Sequence, residues 1–191
     1  MTAEDVFGRI SAALETAGIP FMLTGSFAGM YHGVIRSTQD IDIVIVADAF
    51  QLRTLVRLLP KERYYVDEET ALEALRTESM FNVIDFATGW KIDLIIGKSG
   101  PFDREKFNRR FPTTFQGTGL FMSTREDLLI SKLEWAKSGE SERQIEDVAL
   151  LLRVQEGNLD ETYVEKWVQA LGLDFQWRKA RRAAGLPEGM A

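Results

Sequence analysis

The chain has 191 residues, 45% of them hydrophobic and 27% charged, the size and balance of one globular domain with a full core, or of a core domain with a small appendage. A net charge of −6 argues against a protein that coats nucleic acid by bulk electrostatics. With no cysteine, a disulfide framework and a thiolate metal site are both excluded.

The first residues, MTAEDVFGRI, begin acidic and amphipathic. No apolar run reaches the roughly 20 residues of a membrane span, so neither export nor membrane insertion is expected. A cytoplasmic location suits this composition. Residues 3 to 17 carry Val6, Ile10, Ala13 and Leu14 at helical spacing, with Gly18 as the stop. A short apolar strand over 19 to 23 runs into Thr24-Gly25-Ser26. Gly25, Gly29 and Gly33 then recur every four residues, which predicts a helix with small residues along one side. A loop over 36 to 39 leads to a β-branched strand at 40 to 46.

A helix is predicted over 49 to 59, ended by Pro60, and a shorter one over 68 to 79. Strands at 81 to 87 and 91 to 96 flank Thr88-Gly89-Trp90, a turn short enough for an antiparallel hairpin. The Gly-, Pro- and charge-rich stretch 97 to 110 reads as a loop, and 111 to 122 as one or two edge strands. Ser-Thr-Arg-Glu at 123 to 126 reads as a capping box opening a helix to about Lys137. A linker at 138 to 141 and a second helix to Gln155 follow, then a break at Gly157-Asn158. A third helix is capped by Asp160 and ends near Gly172. Arg178, Lys179, Arg181 and Arg182 read as a solvated helix end. The chain thus divides into a core at 1 to 122, mixing strands and helices, and a helical region at 123 to 191.

The chemistry gathers around "DIDIVIV". Alternation puts Asp40, Asp42, Val44 and Val46 on one face of a strand and Ile41, Ile43 and Ile45 on the other. Carboxylates two apart on a strand lie roughly 6.6 Å apart at their Cα atoms, close enough to converge on one metal ion or two adjacent ones. Mg²⁺ suits them, because it favours carboxylate oxygens and keeps positions for phosphate and water. Hydrated strand-start aspartates, or aspartates paired with Arg36, are the plainer reading. In "WKIDLII" a further aspartate, Asp93, interrupts a core strand, with Lys91 and Ile95 on its face. Asp85 competes for the role of third carboxylate, but its place beside the turn favours a hydrated or turn-capping role. Gly25-Ser26, between a strand and a helix, can turn its amides toward an anion. His32, the single histidine, reads as a packing or hydrogen-bonding residue, and Trp135, Trp167 and Trp177 as core or interface anchors.

The run "LTGSFAGMYHGVIRSTQDIDIVI" resembles the signature of the nucleotidyltransferase superfamily related to DNA polymerase β: Gly-Ser, a helix, then Asp-apolar-Asp-apolar. The Arg36-x-Thr38-x-Asp40 pattern is similar to that of short bacterial nucleotidyltransferase-like proteins, whose relatives include the toxin components of abortive-infection systems (AbiEii-type). The resemblance covers roughly residues 20 to 155. It implies an α+β nucleotidyltransferase fold, a mixed sheet flanked by helices, with a helical C-terminal part closing over the nucleotide. It implies two Mg²⁺ or Mn²⁺ ions held by Asp40, Asp42 and Asp93, with Gly25 and Ser26 holding the NTP phosphates. Arg36, Thr38, Lys132, Arg143 and Asp147 become nucleotide-binding candidates.

Lys132 as an exposed helix lysine, and Arg143 with Asp147 as a surface ion pair four apart on a helix, are the plainer alternatives. The implied activity is transfer of an NMP from an NTP to a hydroxyl on RNA, protein or a small molecule, with release of pyrophosphate. The other readings are a catalytically inactive nucleotide-binding or toxin–antitoxin module with a cognate small protein as partner, and a metal-dependent phosphohydrolase.

Overall fold

The computed structural model describes residues 3–115, 117–155 and 157–187, and the side chains from Val6 onward. It divides into two compact units, residues 1–27 with 37–123, and residues 28–36 with 124–191.

The first unit is built on a seven-stranded mixed sheet of β1 (Phe21–Leu23), β2 (Asp40–Ile45), β3 (Tyr64–Tyr65), β4 (Met80–Asp85), β5 (Lys91–Ile96), β6 (Phe111–Phe115) and β7 (Thr118–Met122). Their order across the sheet is β3-β4-β5-β2-β1-β7-β6. β2 is central because both its faces are apolar beyond the aspartates: Ile41, Ile43, Val44 and Ile45 are all buried. It runs parallel to β5 and antiparallel to β1. β7 is interior, parallel to β1, and β6 is the edge. Gln116, between β6 and β7, lies outside the described residues.

The helices of this unit are α1 (Ala3–Thr16), α3 (Ala49–Leu58), α4 (Glu68–Thr77) and α5 (Pro101–Arg109), while α2 (Gly25–Tyr31) begins in it. Asp48 and Gln51 cap α3 reciprocally, Asp48 accepting from the Gln51 amide at 2.8 Å and Gln51 accepting from the Asp48 amide at 2.9 Å.

Three expectations are corrected here. The stretch 97–110 holds α5, not a continuous loop: Pro101 suits the first helical turn, where no intrahelical N–H is needed. Phe102 and Lys106, four apart, fall on one face, with Phe102 buried and the Lys106 Nζ 4.9 Å from its ring centroid. The glycine helix is short, since α2 ends at Tyr31 and Gly33 lies beyond it, so three glycines do not line one helix side. The capping box is shifted by one residue. The Ser123 amide continues the sheet by donating to Leu23 O at 3.0 Å, and Thr124 is the cap, accepting from the Asp127 amide at 3.1 Å.

The second unit packs α6 (Arg125–Gly139), α7 (Glu142–Val154), α8 (Glu161–Leu171) and α9 (Asp174–Ala184) together. Leu129, Leu133, Val148, Val164 and Ala180 are fully buried among them. The buried Asp127 carboxylate also accepts from Tyr163 Oη at 2.6 Å, tying α6 to α8. Trp167 and Trp177 are buried as anchors, whereas Trp135 is half exposed. The basic run lies within α9 rather than at a uniformly solvated end: Arg181 is buried, its guanidinium 5.2 Å from the Trp177 ring centroid. Residues 28–36, the rest of α2 and the segment after it, belong to this unit although they precede β2 in the chain. Gln155 Nε2 donates to the backbone oxygen of His32 at 2.6 Å. No helix among the described residues is long and apolar enough to cross a membrane.

Candidate active site

In the first unit, β1 ends against β2, with Leu23 opposite Ile43 and the Thr24 amide donating to Asp42 O at 3.0 Å. Gly25 then takes φ +62°, the left-handed region, and turns the chain into α2. A Cβ built on Gly25 would lie 1.9 Å from Asp42 Oδ2 and 2.7 Å from its Cβ, so backbone and carboxylate touch with no room for a side chain. Phe27, one residue past Ser26, fixes the start of α2: its ring centroid lies 5.8 Å from Trp90 and 5.8 Å from Phe115.

The parallel pairing of β2 with β5 aligns Asp42 with Asp93 and Asp40 with Lys91. All four side chains share one face by strand alternation. Thr38 sets the start of β2, its Oγ1 accepting from the Asp40 amide at 3.2 Å. Exposure falls steeply across this face, with the Asp40 side chain 50% exposed and that of Asp93 8%.

Asp93 is the unusual group. Burial, and secondarily the Asp40 charge, push its carboxyl above the ordinary aspartate range against the opposing pull of Lys91. Its Oδ1 is buried and has no hydrogen-bond partner among the described residues. Its Oδ2 receives the Lys91 Nζ at 3.0 Å, and the same ammonium lies 3.5 Å from Asp40 Oδ1. Burial lowers the Lys91 ammonium, but its hydrogen bond to Asp93 and the charges of Asp93 and Asp40 outweigh that and leave it raised. Lys91 was not singled out by the sequence reading, although the alternation that selected Asp93 places it on the same face.

The donor chemistry of this face fits a divalent cation: three carboxylates, one with an orphaned buried oxygen, beside a glycine with no room for a side chain. As arranged here, a lysine bridges two of the three. Among the described residues no group of three or more histidine or acidic side chains is placed so that it could hold a metal ion in this arrangement.

Asp85 is not hydrated. Its side chain is fully buried, meets Arg9 Nη2 at 2.8 Å and Arg63 Nη2 at 3.4 Å, and accepts from the Ala87 amide at 2.9 Å. It is a turn-capping ion-pair centre.

The second unit gathers Arg36, Lys132 and Asp147. Arg36 Nη1 donates to Asp147 Oδ1 at 2.7 Å and Oδ2 at 2.6 Å, and Lys132 Nζ donates to Oδ2 at 2.7 Å and to Gln144 Oε1 at 3.3 Å. The plainer readings of these residues are thereby corrected. Arg36 pairs with Asp147, Lys132 is buried rather than exposed, and Asp147 is a buried carboxylate held by two cations. Arg143 is exposed. Buried position 147 faces inward on α7, which explains why i,i+4 spacing misassigned its partner.

No protein-family model and no curated protein sequence matches the chain. Among solved structures, the chain is similar to the antibiotic-resistance factor ANT(2'')-Ia, whose solution structure is described as revealing substrate-regulated conformation dynamics. The TM-score is 0.55 at 15% identity, over 90% of this chain and 92% of that one. The fold is nucleotidyltransferase-like. An antigenic nucleotidyltransferase-like protein from Paracoccidioides brasiliensis aligns at TM-score 0.49 and 16% identity, over 94% and 92% of the two chains. JHP933 from Helicobacter pylori aligns at 0.46 and 17%, over 94% and 72%. At such identities the likeness concerns the fold alone, and only the first exceeds a TM-score of 0.5.

Proposed function

We propose that the chain transfers a nucleotidyl group from an NTP to a hydroxyl acceptor with release of pyrophosphate. The observation that carries this reading is the pairing of Asp42 with Asp93 in register on adjacent parallel strands, Asp40 on the same face and the Gly25 backbone against Asp42. Asp40, Asp42 and Asp93 would hold Mg²⁺ or Mn²⁺. When bound, such ions neutralise phosphate charge and stabilise the attacking and leaving oxygens of an in-line displacement.

The chain's own residues supply the rest. Gly25 and Ser26 offer backbone amides to the β and γ phosphates, where a larger residue at position 25 would collide with Asp42. Asp93, the buried carboxylate opposite Asp42, takes the acceptor's proton. The acceptor oxygen bonds to the α-phosphorus, and the bond from that phosphorus to the bridging oxygen breaks toward pyrophosphate. Within the second unit, Arg36 and Lys132 place two cations on the single carboxylate of Asp147. Thr38 holds the start of β2. The Arg36-x-Thr38-x-Asp40 pattern supports grouping the chain with short bacterial nucleotidyltransferase-like proteins, abortive-infection toxins included. In that group a cytoplasmic setting and a cognate small protein partner are natural.

The test is incubation with each α-labelled NTP, Mg²⁺ or Mn²⁺, and cellular RNA, protein and small hydroxyl acceptors. Label should move to one acceptor class with wild-type protein and to none with Asp40→Asn. Pyrophosphate release without labelled acceptor would replace the reading with phosphohydrolysis, and metal-dependent NTP binding without any product would replace it with a binding module.

A further inference from the structure

Lys91 has no part in the reaction above, yet its ammonium lies 3.0 Å from Asp93 Oδ2 and 3.5 Å from Asp40 Oδ1. It stands opposite Asp40 in the β2–β5 register, at the mouth of the carboxylate face. Two features separate this contact from an ordinary strand-start ion pair. One ammonium serves two carboxylates of the same proposed metal set. Asp93 Oδ1, buried beside it, keeps no hydrogen-bond partner among the described residues, so the lysine leaves the polar demand of Asp93 incompletely met. The lysine side chain is also 37% exposed, so its compact, well-hydrated charge on a four-carbon stem has solvent to move into. A bound divalent cation and this ammonium repel one another at the same oxygens.

We propose that Lys91 is a resident counter-cation: it holds Asp40 and Asp93 before metal arrives and has to release them for a divalent ion to bind, thereby setting the metal affinity of the site. The inference rests on reading this face as a metal site. A merely structural lysine, pinning the starts of β2 and β5, would make the opposite prediction, because its loss would loosen the carboxylates and weaken metal binding.

The experiment titrates Mn²⁺ alone into the full chain and follows free Mn²⁺ by electron paramagnetic resonance, for wild type, Lys91→Met, Lys91→Gln and Lys91→Arg. Circular dichroism melts verify that each variant is folded. Lys91→Met and Lys91→Gln should bind Mn²⁺ at least tenfold more tightly than wild type. Lys91→Arg, which keeps the charge, should bind no more tightly. Adding Asp42→Asn to Lys91→Met should abolish the gain. If wild type binds Mn²⁺ and the two neutral variants bind it equally or more weakly, the counter-cation role is overturned while the metal site stands. If no variant and no wild-type sample binds Mn²⁺, the metal reading falls and the proposal with it. Should Lys91→Met melt below the assay temperature, Lys91→Gln decides.

Discussion

Replacing Gly25 by alanine tests the closest backbone approach in the proposed site. The new Cβ would sit 1.9 Å from Asp42 Oδ2, 2.5 Å from its Cγ and 2.7 Å from its Cβ. Swinging the Asp42 carboxylate aside relieves the first two contacts. The third is fixed by the backbone of β2, so the strand or the turn has to shift. Overpacking of this kind costs about 1–3 kcal/mol, and placing alanine at φ +62° adds about 1–2 kcal/mol. The sum, about 2–5 kcal/mol, corresponds to a fall in Tm of roughly 2–4 °C per kcal/mol for a chain of this size.

Gly89 is the internal control. It has φ +72° in the turn between β4 and β5, and nothing lies within 4 Å of an added Cβ. Gly89→Ala should therefore show the backbone cost alone. Urea unfolding of wild type and both variants measures the difference, which isolates the collision with Asp42. Equal destabilisation by the two substitutions would refute the claim that the Gly25 backbone lies against the Asp42 carboxylate.

Three further outcomes follow from the buried charges. Asp147→Ala leaves Lys132 and Arg36 without their shared carboxylate; losing one partner of a buried pair costs about 3–5 kcal/mol, and hydrogen exchange should show the loss in α6 and α7. Burial raises the Asp85 carboxyl, but the Ala87 amide, Arg9 and Arg63 outweigh it and leave it below its ordinary value. Its stabilisation is thus present above the unfolded aspartate pKa of about 3.9 and disappears as pH falls through the lower folded value. In acid titrations of stability, Asp85→Asn should flatten that limb. Asp93 has the opposite sign: its raised carboxyl makes the folded state hold its proton longer than the unfolded chain does, so ionising it costs stability as pH rises above about 3.9. Asp93→Asn should melt higher than wild type at neutral pH, with the gain vanishing in acid; an unchanged difference across that range would contradict the assignment.

The parts of this molecule that sequence made readable are those with strong local periodicity. "DIDIVI" alternates cleanly and sits in a run apolar on both faces, so its central position in the sheet and the face of its aspartates followed from spacing. The place of Asp85 beside the turn set it behind Asp93, while the alternation that put Lys91 on the face of Asp93 did not mark it out, because a lysine at a strand start is usually solvated. Helix α5 was hidden by composition: Gly100, Pro101 and a run of charges look like loop chemistry, while Pro101 is the residue that starts the helix. Asp147 was misassigned for another reason. A helical i,i+4 rule finds Arg143 as its neighbour, whereas its partner Arg36 lies 111 residues away, and nothing local encodes that pairing. Nor does local pattern say that residues 28–36, leading into β2, pack with the helical unit.

The claim at the centre of this account is that Asp40, Asp42 and Asp93 form one divalent-cation site. Its most direct measurement is the anomalous scattering of Mn²⁺ in crystals grown with a non-hydrolysable NTP. The account predicts a peak about 2 Å from oxygens of all three carboxylates, with the Lys91 ammonium moved off Asp40 and Asp93. A peak elsewhere, or none while Lys91 still bridges the two aspartates, would contradict it.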